Sequence, residues 1–215
     1  MIQKIELINY FTSKIRNCRY LEIGSLRHET FLGVQAAIKH DVEPFPPTMI
    51  APTFLMSSDH FFSSEKYILQ GTSLIPRIYD VIFIDGLHLA EQVISDVFNA
   101  SNMLVDSGYI ILHDCYPQKE AHQTRTQTDN LWMGDVWKAQ TWLVKQFPDR
   151  VCTIEDSDCG CGIIKGALQF EIPDSKLVLE PTWKDFEDHK KQMLNLISWD
   201  EYVKNDSDKR MPLFL

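Results

Sequence analysis

The sequence predicts an α/β domain with a mixed, doubly wound sheet that is mostly parallel and has an antiparallel hairpin near its C-terminal end. Residues 79–84 and 109–112 are apolar runs with the length of buried strands, and residues 89–105 between them repeat apolar side chains at helical spacing. Strand, helix and strand in this order indicate a βαβ unit with a parallel sheet. The hairpin is predicted from residues 151–155 and 161–165, two apolar runs joined by a short polar turn.

The remaining elements follow from the same periodicities. Residues 3–17 repeat apolar side chains as an amphipathic helix does, and residues 19–24 form a buried strand that ends in a glycine. The other expected elements are, in order, a helix over 30–38, strands over 39–43 and 53–56, a short helix from His60 onward, a helix over 135–147, and helices over 183–197 and 199–204.

Composition restricts the class of partner. The chain has 215 residues and 44% hydrophobic content, which suits one globular domain. Its formal net charge is −9 and no basic run is present, so we expect no nucleic-acid partner. The N-terminus lacks the apolar core of a signal peptide and no stretch reaches transmembrane length, so we expect a cytoplasmic protein without a membrane partner. A homo-oligomer is compatible with the sequence.

The five cysteines are odd in number and scattered, a pattern that does not suggest a disulfide framework. Cys159 and Cys161 could form half of a metal site, but no second pair at a zinc-like spacing occurs in the sequence. We therefore expect these two thiols to be structural.

The first strand and the turn after it suggest a nucleotide-like cofactor. Glu22 and Gly24 end this strand just before a helix, where a glycine lets the backbone approach a ligand. Glu43 ends the second strand about twenty residues later, where an acid commonly accepts hydrogen bonds from a ribose diol. The dinucleotide pattern G-x-G-x-x-G is absent, which favours an adenosine-containing cofactor without a pyrophosphate. Alternatively, Gly24 is only a turn residue and Glu43 a solvated acid.

Several motifs together resemble the class I S-adenosylmethionine-dependent methyltransferases, and most closely the small bacterial subfamily described as methyltransferase domain 24. They are YLEIG at 20–24, MSSDHFF at 56–62, FIDGLH at 83–88, LHD at 112–114, GDVWKA at 134–139 and ISWDE at 197–201. The resemblance implies a Rossmann-like, seven-stranded sheet that is parallel except for its last strand. It also implies an N-terminal helix in residues 1–17, a methyltransferase catalytic domain in 18–170 and a C-terminal helical extension in 171–215.

The resemblance further implies which residues bind S-adenosylmethionine. The cofactor loop would contain Glu22 and Gly24, Glu43 would hold the ribose hydroxyls, and Asp85 would lie beside the methionine amino group and the transferred methyl. The residues after the third strand would contact the adenine: Ser57, Ser58 and Asp59.

One position departs from the family pattern. The family usually has a second glycine four residues after Gly24, and this chain has His28 there. Its imidazole would crowd the carboxylate of the cofactor, unless His28 points away or itself binds that carboxylate. Reduced cofactor affinity is the third alternative.

Asp85, His88, His113 and Asp114 follow the two strands of the βαβ unit, so we expect them in one pocket. Methyl transfer to a hydroxyl needs a general base or a metal that lowers the hydroxyl pKa. We expect His113 to be the base and Asp114 its orienting partner or a metal ligand. The plainer alternatives are that His88 caps a helix and that His113 is structural.

A Mg²⁺ site formed by Asp85 and Asp114 is a second way to activate the acceptor, with Asp135 as a third carboxylate. Three aromatic residues would then line the acceptor pocket, or else belong to the core: Tyr116, Trp132 and Trp137.

Three functions remain open from the sequence. The leading one is methyl transfer from S-adenosylmethionine to a hydroxyl of a small molecule, with a sugar as the acceptor suggested by the subfamily. The second is a metal-dependent hydrolase that uses the Asp/His cluster. The third is a non-catalytic binding domain of methyltransferase fold, which His28 in the cofactor loop would explain.

Overall fold

A seven-stranded sheet forms the centre of the protein, with strand order β2–β1–β5–β6–β8–β7–β9. The computed structural model describes residues 1–47, 49–64, 68–69, 73–74, 78–127 and 131–208. The strands of the sheet are β1 (Arg19–Ile23), β2 (Ile38–Val42), β5 (Tyr79–Ile84), β6 (Leu104–Leu112), β7 (Val151–Ile154), β8 (Cys161–Lys165) and β9 (Leu196–Ile197). A separate two-stranded antiparallel sheet pairs β3 (Ile68–Leu69) with β4 (Ser73–Leu74).

Helices cover both faces of the sheet. They are α1 (Lys4–Thr12), α2 (Glu29–Gly33), α3 (Ser58–Ser63), α4 (Ala90–Ser101), α5 (Val136–Gln146), α6 (Ser175–Leu179), α7 (Trp183–Met193) and α8 (Trp199–Asp208), with a 3₁₀ turn at Glu120–Gln123. None of the helices in the described segments is long and apolar enough to cross a membrane.

Alternation along the central strands explains the two layers. Ile82 and Ile84 of β5 face α4 and α5, whereas Val81 and Phe83 face α1 and α8. Every residue of β5 is buried, as expected for a parallel strand covered by helices on both faces. The buried apolar side chains of α4 include Val93, Ile94, Val97 and Ala100, which confirm the predicted helical spacing.

The fold class predicted from the sequence is confirmed, but the seventh strand comes from an unexpected segment. Residues 53–56 were expected to form a strand, and there only Phe54 makes an isolated parallel bridge, to Val42. Leu196 and Ile197 pair instead with β7, inside the segment predicted as a helix and as a purely helical extension. That segment continues to residue 215, and 209–215 lie outside the described residues.

The direction of the strands also differs in one respect. The antiparallel strand is β8, the return arm of the hairpin, which pairs antiparallel with both β6 and β7. The last strand, β9, is parallel to β7 because α6 and α7 carry the chain back across the sheet. Elsewhere the predicted helix over 30–38 ends at Gly33, and β6 begins at Leu104, before the predicted strand 109–112.

Candidate active site

The four residues expected at the strand ends lie together, as predicted. β5 and β6 are parallel neighbours with Ile84 beside Leu112, so the segments that follow them leave the sheet at the same edge. Nδ1 of His113 lies 3.3 Å from Oδ1 of Asp85 and 3.2 Å from Oδ1 of Asp114. Nε2 of His88 lies 3.3 Å from Oδ1 of Asp85, and its Nδ1 lies 3.3 Å from Oδ2 of Asp114. We call these four residues the strand-end cluster.

His113 and Asp114 are adjacent in sequence, so on a regular strand their side chains would point to opposite faces. Asp114 has a φ of +59°, in the left-handed region, which turns the chain directly after β6. Both side chains therefore reach the strand-end cluster.

The electrostatics of the cluster favour ion pairs between its members. Burial lowers the pKa of His113, but the carboxylates of Asp85 and Asp114 outweigh burial and hold that pKa well above its ordinary value. Burial raises the pKa of Asp85, but His113, His88 and Lys4 outweigh it and keep that pKa well below its usual range. His113 is thus held as an imidazolium in this arrangement. It can accept a proton only after the carboxylate environment around it changes.

Lys4, which the sequence analysis missed, is a fifth member of the site. Its Nζ donates a hydrogen bond to Oδ2 of Asp85 at 3.0 Å. Burial lowers the pKa of Lys4, but Asp85 outweighs burial and the net change is upward. The signal in the sequence is its spacing: Lys4, Ile8 and Phe11 share one face of α1, and Ile8 and Phe11 are completely buried. A lysine on the buried face of an amphipathic helix is a candidate site residue.

Gly24 lies in close contact with the backbone of Asp85. Its φ is +86°, and a Cβ at this position would lie 2.2 Å from the carbonyl oxygen of Asp85. The turn after β1 therefore packs directly on the backbone of Asp85, and only glycine fits there. The predicted cofactor loop and the strand-end cluster are parts of one edge of the sheet.

The side chain of His28 turns into the protein, which decides how this residue departs from the family pattern. His28 has a φ of +63°, a conformation that glycine adopts more readily. Its Nε2 lies 3.1 Å from Oδ2 of Asp41, and both side chains are 1% exposed. Asp41 also accepts hydrogen bonds from the hydroxyls of Ser25, at 2.7 Å, and Thr53, at 2.8 Å. Through Asp41, His28 thus helps to hold the loop after β1 in place.

Glu43 and Glu22 occupy different environments. Oε2 of Glu43 accepts the backbone N–H of Leu26 at 2.9 Å and Oε1 accepts that of Phe45 at 2.8 Å, so Glu43 ties the cofactor loop to the segment after β2. Glu22 is 1% exposed and accepts the hydroxyl of Tyr20 at 2.6 Å. Burial raises the pKa of Glu22 to about 8, so it is largely protonated at neutral pH.

The residues expected near the adenine surround the start of α3. The hydroxyl of Ser57 caps this helix by accepting the N–H of His60 at 3.3 Å. Ser58 and Asp59 accept hydrogen bonds from Nε2 of Gln92, at 3.4 and 2.9 Å. This amide also donates to Asp96 at 3.1 Å.

Asp96 was not predicted from the sequence, although it is a lone acid between apolar positions of α4. It is completely buried, and burial raises its pKa to about 7.

The loop between β6 and α5 covers the His88 side of the site. The ring of Trp132 stacks on that of His88, with centroids 4.9 Å apart and an angle of 21° between the planes. A Cβ on Gly134 would clash with the backbone oxygen of His88. Arg125 donates to Asp135 at 2.5 Å and also pairs with Glu91 of α4, which fastens the loop to that helix.

Two of the residues expected in this region have structural roles. Both oxygens of Asp135 are engaged, one by Arg125 and the other by the N–H of Ala90 at 2.8 Å. Among the described residues, Asp135 does not join the groups of donor atoms that lie close enough to hold one ion, so its role as a third carboxylate stays a prediction. Trp137 is completely buried and packs on Phe186 in a separate apolar cluster, with Tyr116 at its edge. Of the three aromatic residues considered for the acceptor pocket, Trp132 is the one that contacts the strand-end cluster.

Comparison with known proteins agrees with this architecture. Residues 52–115 match the model of a methyltransferase-domain family, methyltransferase domain 24. Among curated proteins, none matches this chain. The similar solved structures include the following three, at identities that indicate a common fold.

The first is the SAH-bound methyltransferase PaMTH1 of Podospora anserina, with a TM-score of 0.51 and 14% identity over 76% of this chain and 77% of that one. The second is the O-methyltransferase TomG of Streptomyces achromogenes in complex with SAM, with a TM-score of 0.51 and 10% identity over 77% of this chain and 80% of that one. The third is cofactor-bound Rv0187 from MTB, with a TM-score of 0.53 and 13% identity over 77% of this chain and 80% of that one. The chain therefore has the fold of the class I S-adenosylmethionine-dependent methyltransferases, and its central segment carries the sequence pattern of methyltransferase domain 24.

Proposed function

We propose that this protein transfers the methyl group of S-adenosylmethionine to a hydroxyl group of a small molecule. The observation that carries the proposal is the strand-end cluster, which packs against the glycine turn after β1 in a methyltransferase fold. Ligands of open α/β sheets bind at this edge. The similar proteins PaMTH1 and TomG were solved with SAH and SAM, which supports the choice of cofactor.

The cofactor would lie across the carboxyl ends of β1, β2 and β5. The turn at Gly24 would approach its methionine portion, and the carboxylate of Asp85 would accept a hydrogen bond from its amino group. Glu43 has lone pairs left for the ribose hydroxyls, because each of its oxygens accepts one backbone N–H. The polar groups of Ser57, Ser58 and Asp59 would face the adenine.

Methyl transfer is a displacement at carbon, so the enzyme must align the acceptor oxygen, the methyl and the sulfur. We propose His113 as the group that takes the hydroxyl proton and Asp114 as the residue that orients its ring. The positively charged cofactor would interact with the carboxylate of Asp85 and so weaken the interaction of Asp85 with His113. This is the change in carboxylate environment that His113 needs before it can accept a proton. Trp132 over His88 would exclude water from the acceptor side.

A divalent cation fits the same residues. Asp85, His88 and Asp114 each offer one donor atom, and the three atoms lie within 4.8 Å of one another. Carboxylate oxygens suit Mg²⁺, and such an ion would lower the pKa of a bound hydroxyl. We propose that Asp85 and Asp114 would hold it, with His88 completing the set. Lys4 would then have to give up its bond to Asp85.

The chemical class of the methyl acceptor is the most specific part of the proposal. TomG is described as an O-methyltransferase, which favours a hydroxyl acceptor. A sugar is favoured only by the resemblance to the subfamily. Methyl transfer from labelled S-adenosylmethionine to a panel of sugars, nucleotide-sugars and phenols tests both points. Label in the acceptor that disappears in His113→Ala supports the proposal, whereas release of hydrolysis products without the cofactor would indicate a hydrolase instead.

A further inference from the structure

A second group of potential metal ligands lies beside the strand-end cluster and includes a thiol. His113 and Asp114 follow β6, and Cys159 lies in the turn between β7 and β8. One donor atom from each residue lies within 4.8 Å of the other two. The sequence separates Cys159 from the other two by more than forty residues, so the spacing of cysteines along the chain could not indicate this group.

The turn that carries Cys159 is fixed to the segment after β6. The N–H of Tyr116 donates to the carbonyl oxygen of Cys159 at 3.1 Å, and the N–H of Cys115 donates to that of Gly160 at 2.9 Å. Cys159 has a φ of +52°, an uncommon conformation for this residue type. These contacts present the half-buried thiol to His113 and Asp114 in a defined position.

His113 provides an independent indication of a ligand. The residue is 7% exposed, and neither of its ring nitrogens makes a hydrogen bond of acceptable geometry, although Asp85 and Asp114 face Nδ1 and Oδ2 of Asp158 lies 3.8 Å from Nε2. Its nearest carboxylate oxygen, Oδ1 of Asp114, is 3.2 Å away. Buried imidazole nitrogens are nearly always hydrogen-bonded or bound to a metal. Donor atoms around a tetrahedral zinc ion lie roughly 3.3–3.6 Å apart, as follows from Zn–N and Zn–S lengths of about 2.0 and 2.3 Å.

We infer that His113, Asp114 and Cys159 bind a thiophilic divalent cation of the Zn²⁺ class. A nitrogen, an oxygen and a sulfur donor suit zinc, whereas Mg²⁺ takes oxygen ligands and rejects thiolate. Coordination requires a thiolate and a neutral imidazole nitrogen, so Cys159 and the imidazolium of His113 each release one proton to solvent when the ion binds. Three protein ligands leave a fourth position open to water.

This zinc-class site shares Asp114 with the proposed Mg²⁺ site and shares His113 with the proposed base. If the proposed function holds, bound zinc withdraws both residues from methyl transfer and inhibits it. The binding site itself does not depend on that function, and its test needs no activity measurement.

The test is a titration of the full-length, chelator-treated protein with Co²⁺ under anaerobic conditions, followed by absorbance. We expect one ion per chain, with a thiolate-to-cobalt charge-transfer band and the intense visible bands of tetrahedral cobalt, all displaced by Zn²⁺. In Cys159→Ser the charge-transfer band is lost and the affinity falls about tenfold or more. The matched control is Cys152→Ser, which removes a half-buried thiol of β7 and keeps the band.

A measurement on the unmodified chain makes the test independent of how the variants fold. Burial raises the pKa of the Cys159 thiol to about 12, so prolonged iodoacetamide labelling at alkaline pH is used. Peptide mapping should show Cys159 alkylated in the metal-free protein and protected when one equivalent of Zn²⁺ is present. Absence of a thiolate band in the native protein, or equal labelling of Cys159 with and without Zn²⁺, would overturn the assignment. Retention of the band in Cys159→Ser and its loss in Cys152→Ser would do the same.

Discussion

Replacing Glu22 with Gln should change how the stability of the protein depends on pH. Burial raises the pKa of Glu22 from 4.5 to about 8 in the folded protein. Between these values the folded protein holds a proton that the unfolded chain has released. The contribution of Glu22 to the free energy of unfolding is therefore fully present below pH 4.5 and is lost as the pH rises through about 8.

The size of the effect follows from the same pKa. A single group of this kind lowers the free energy of unfolding by up to about 1.4 kcal/mol for each pH unit, which gives a total on the order of 5 kcal/mol by pH 9. Glu22→Gln carries no charge at any pH and can still accept the hydrogen bond of Tyr20. The variant should therefore equal the native protein near pH 5 and be more stable by several kcal/mol at pH 9.

The assay is urea denaturation followed by tryptophan fluorescence at intervals between pH 5 and 9. Glu171→Gln is the control, because that side chain is exposed and its replacement should leave the pH dependence of the native protein unchanged. Parallel pH profiles for the native protein and Glu22→Gln would refute the claim that Glu22 is buried and protonated.

Four further predictions follow from the same structure. Asp96→Asn should stabilise the protein above pH 7, because burial raises the pKa of Asp96 to about 7, and denaturation at pH 5 and 8 measures the difference. Lys4→Met should lower kcat more than it changes KM, and Lys4→Arg should restore most of kcat, since Lys4 holds Asp85 in place. Gly24→Ala should lower the free energy of unfolding by about 1–3 kcal/mol through backbone strain alone, which thermal unfolding measures. It should also weaken cofactor binding, which calorimetry measures. Trp132→Leu should raise the KM for the acceptor and leave cofactor affinity unchanged.

The sequence predicted the parts of the fold that rest on long, periodic apolar patterns. β5, α4, β6 and the β7–β8 hairpin were located because burial on both faces leaves a continuous apolar run or a clear helical repeat. β9 is two residues long, so it carries no periodicity of its own inside a helical pattern. Residues 53–56 had the composition of a strand, but only Phe54 pairs with a neighbour.

The part of the candidate site that follows the ends of β5 and β6 was predicted from the sequence. Asp85, His88, His113 and Asp114 were expected together because parallel neighbours end at one edge, and the structure places them within hydrogen-bond range of one another. Site residues from distant segments of the chain could not be predicted in this way.

Lys4 reaches the site from α1, and Cys159 reaches it from the turn between β7 and β8. The ion pair between Asp135 and Arg125 was not predicted, because Arg125 lies in a loop without periodicity.

Binding of S-adenosylmethionine, measured by calorimetry with Mg²⁺ and then with EDTA, shows whether the edge of the sheet beside Asp85 is a cofactor site. Asp85→Asn removes the carboxylate proposed to bind the amino group, and Asp106→Asn makes the same change at an exposed position. We expect binding to the native protein and to Asp106→Asn. In Asp85→Asn we expect the affinity to fall about tenfold to a hundredfold, as loss of a charged hydrogen bond would cause. Absence of binding to the native protein in both conditions, or equal affinity in all three proteins, would contradict the proposed cofactor site.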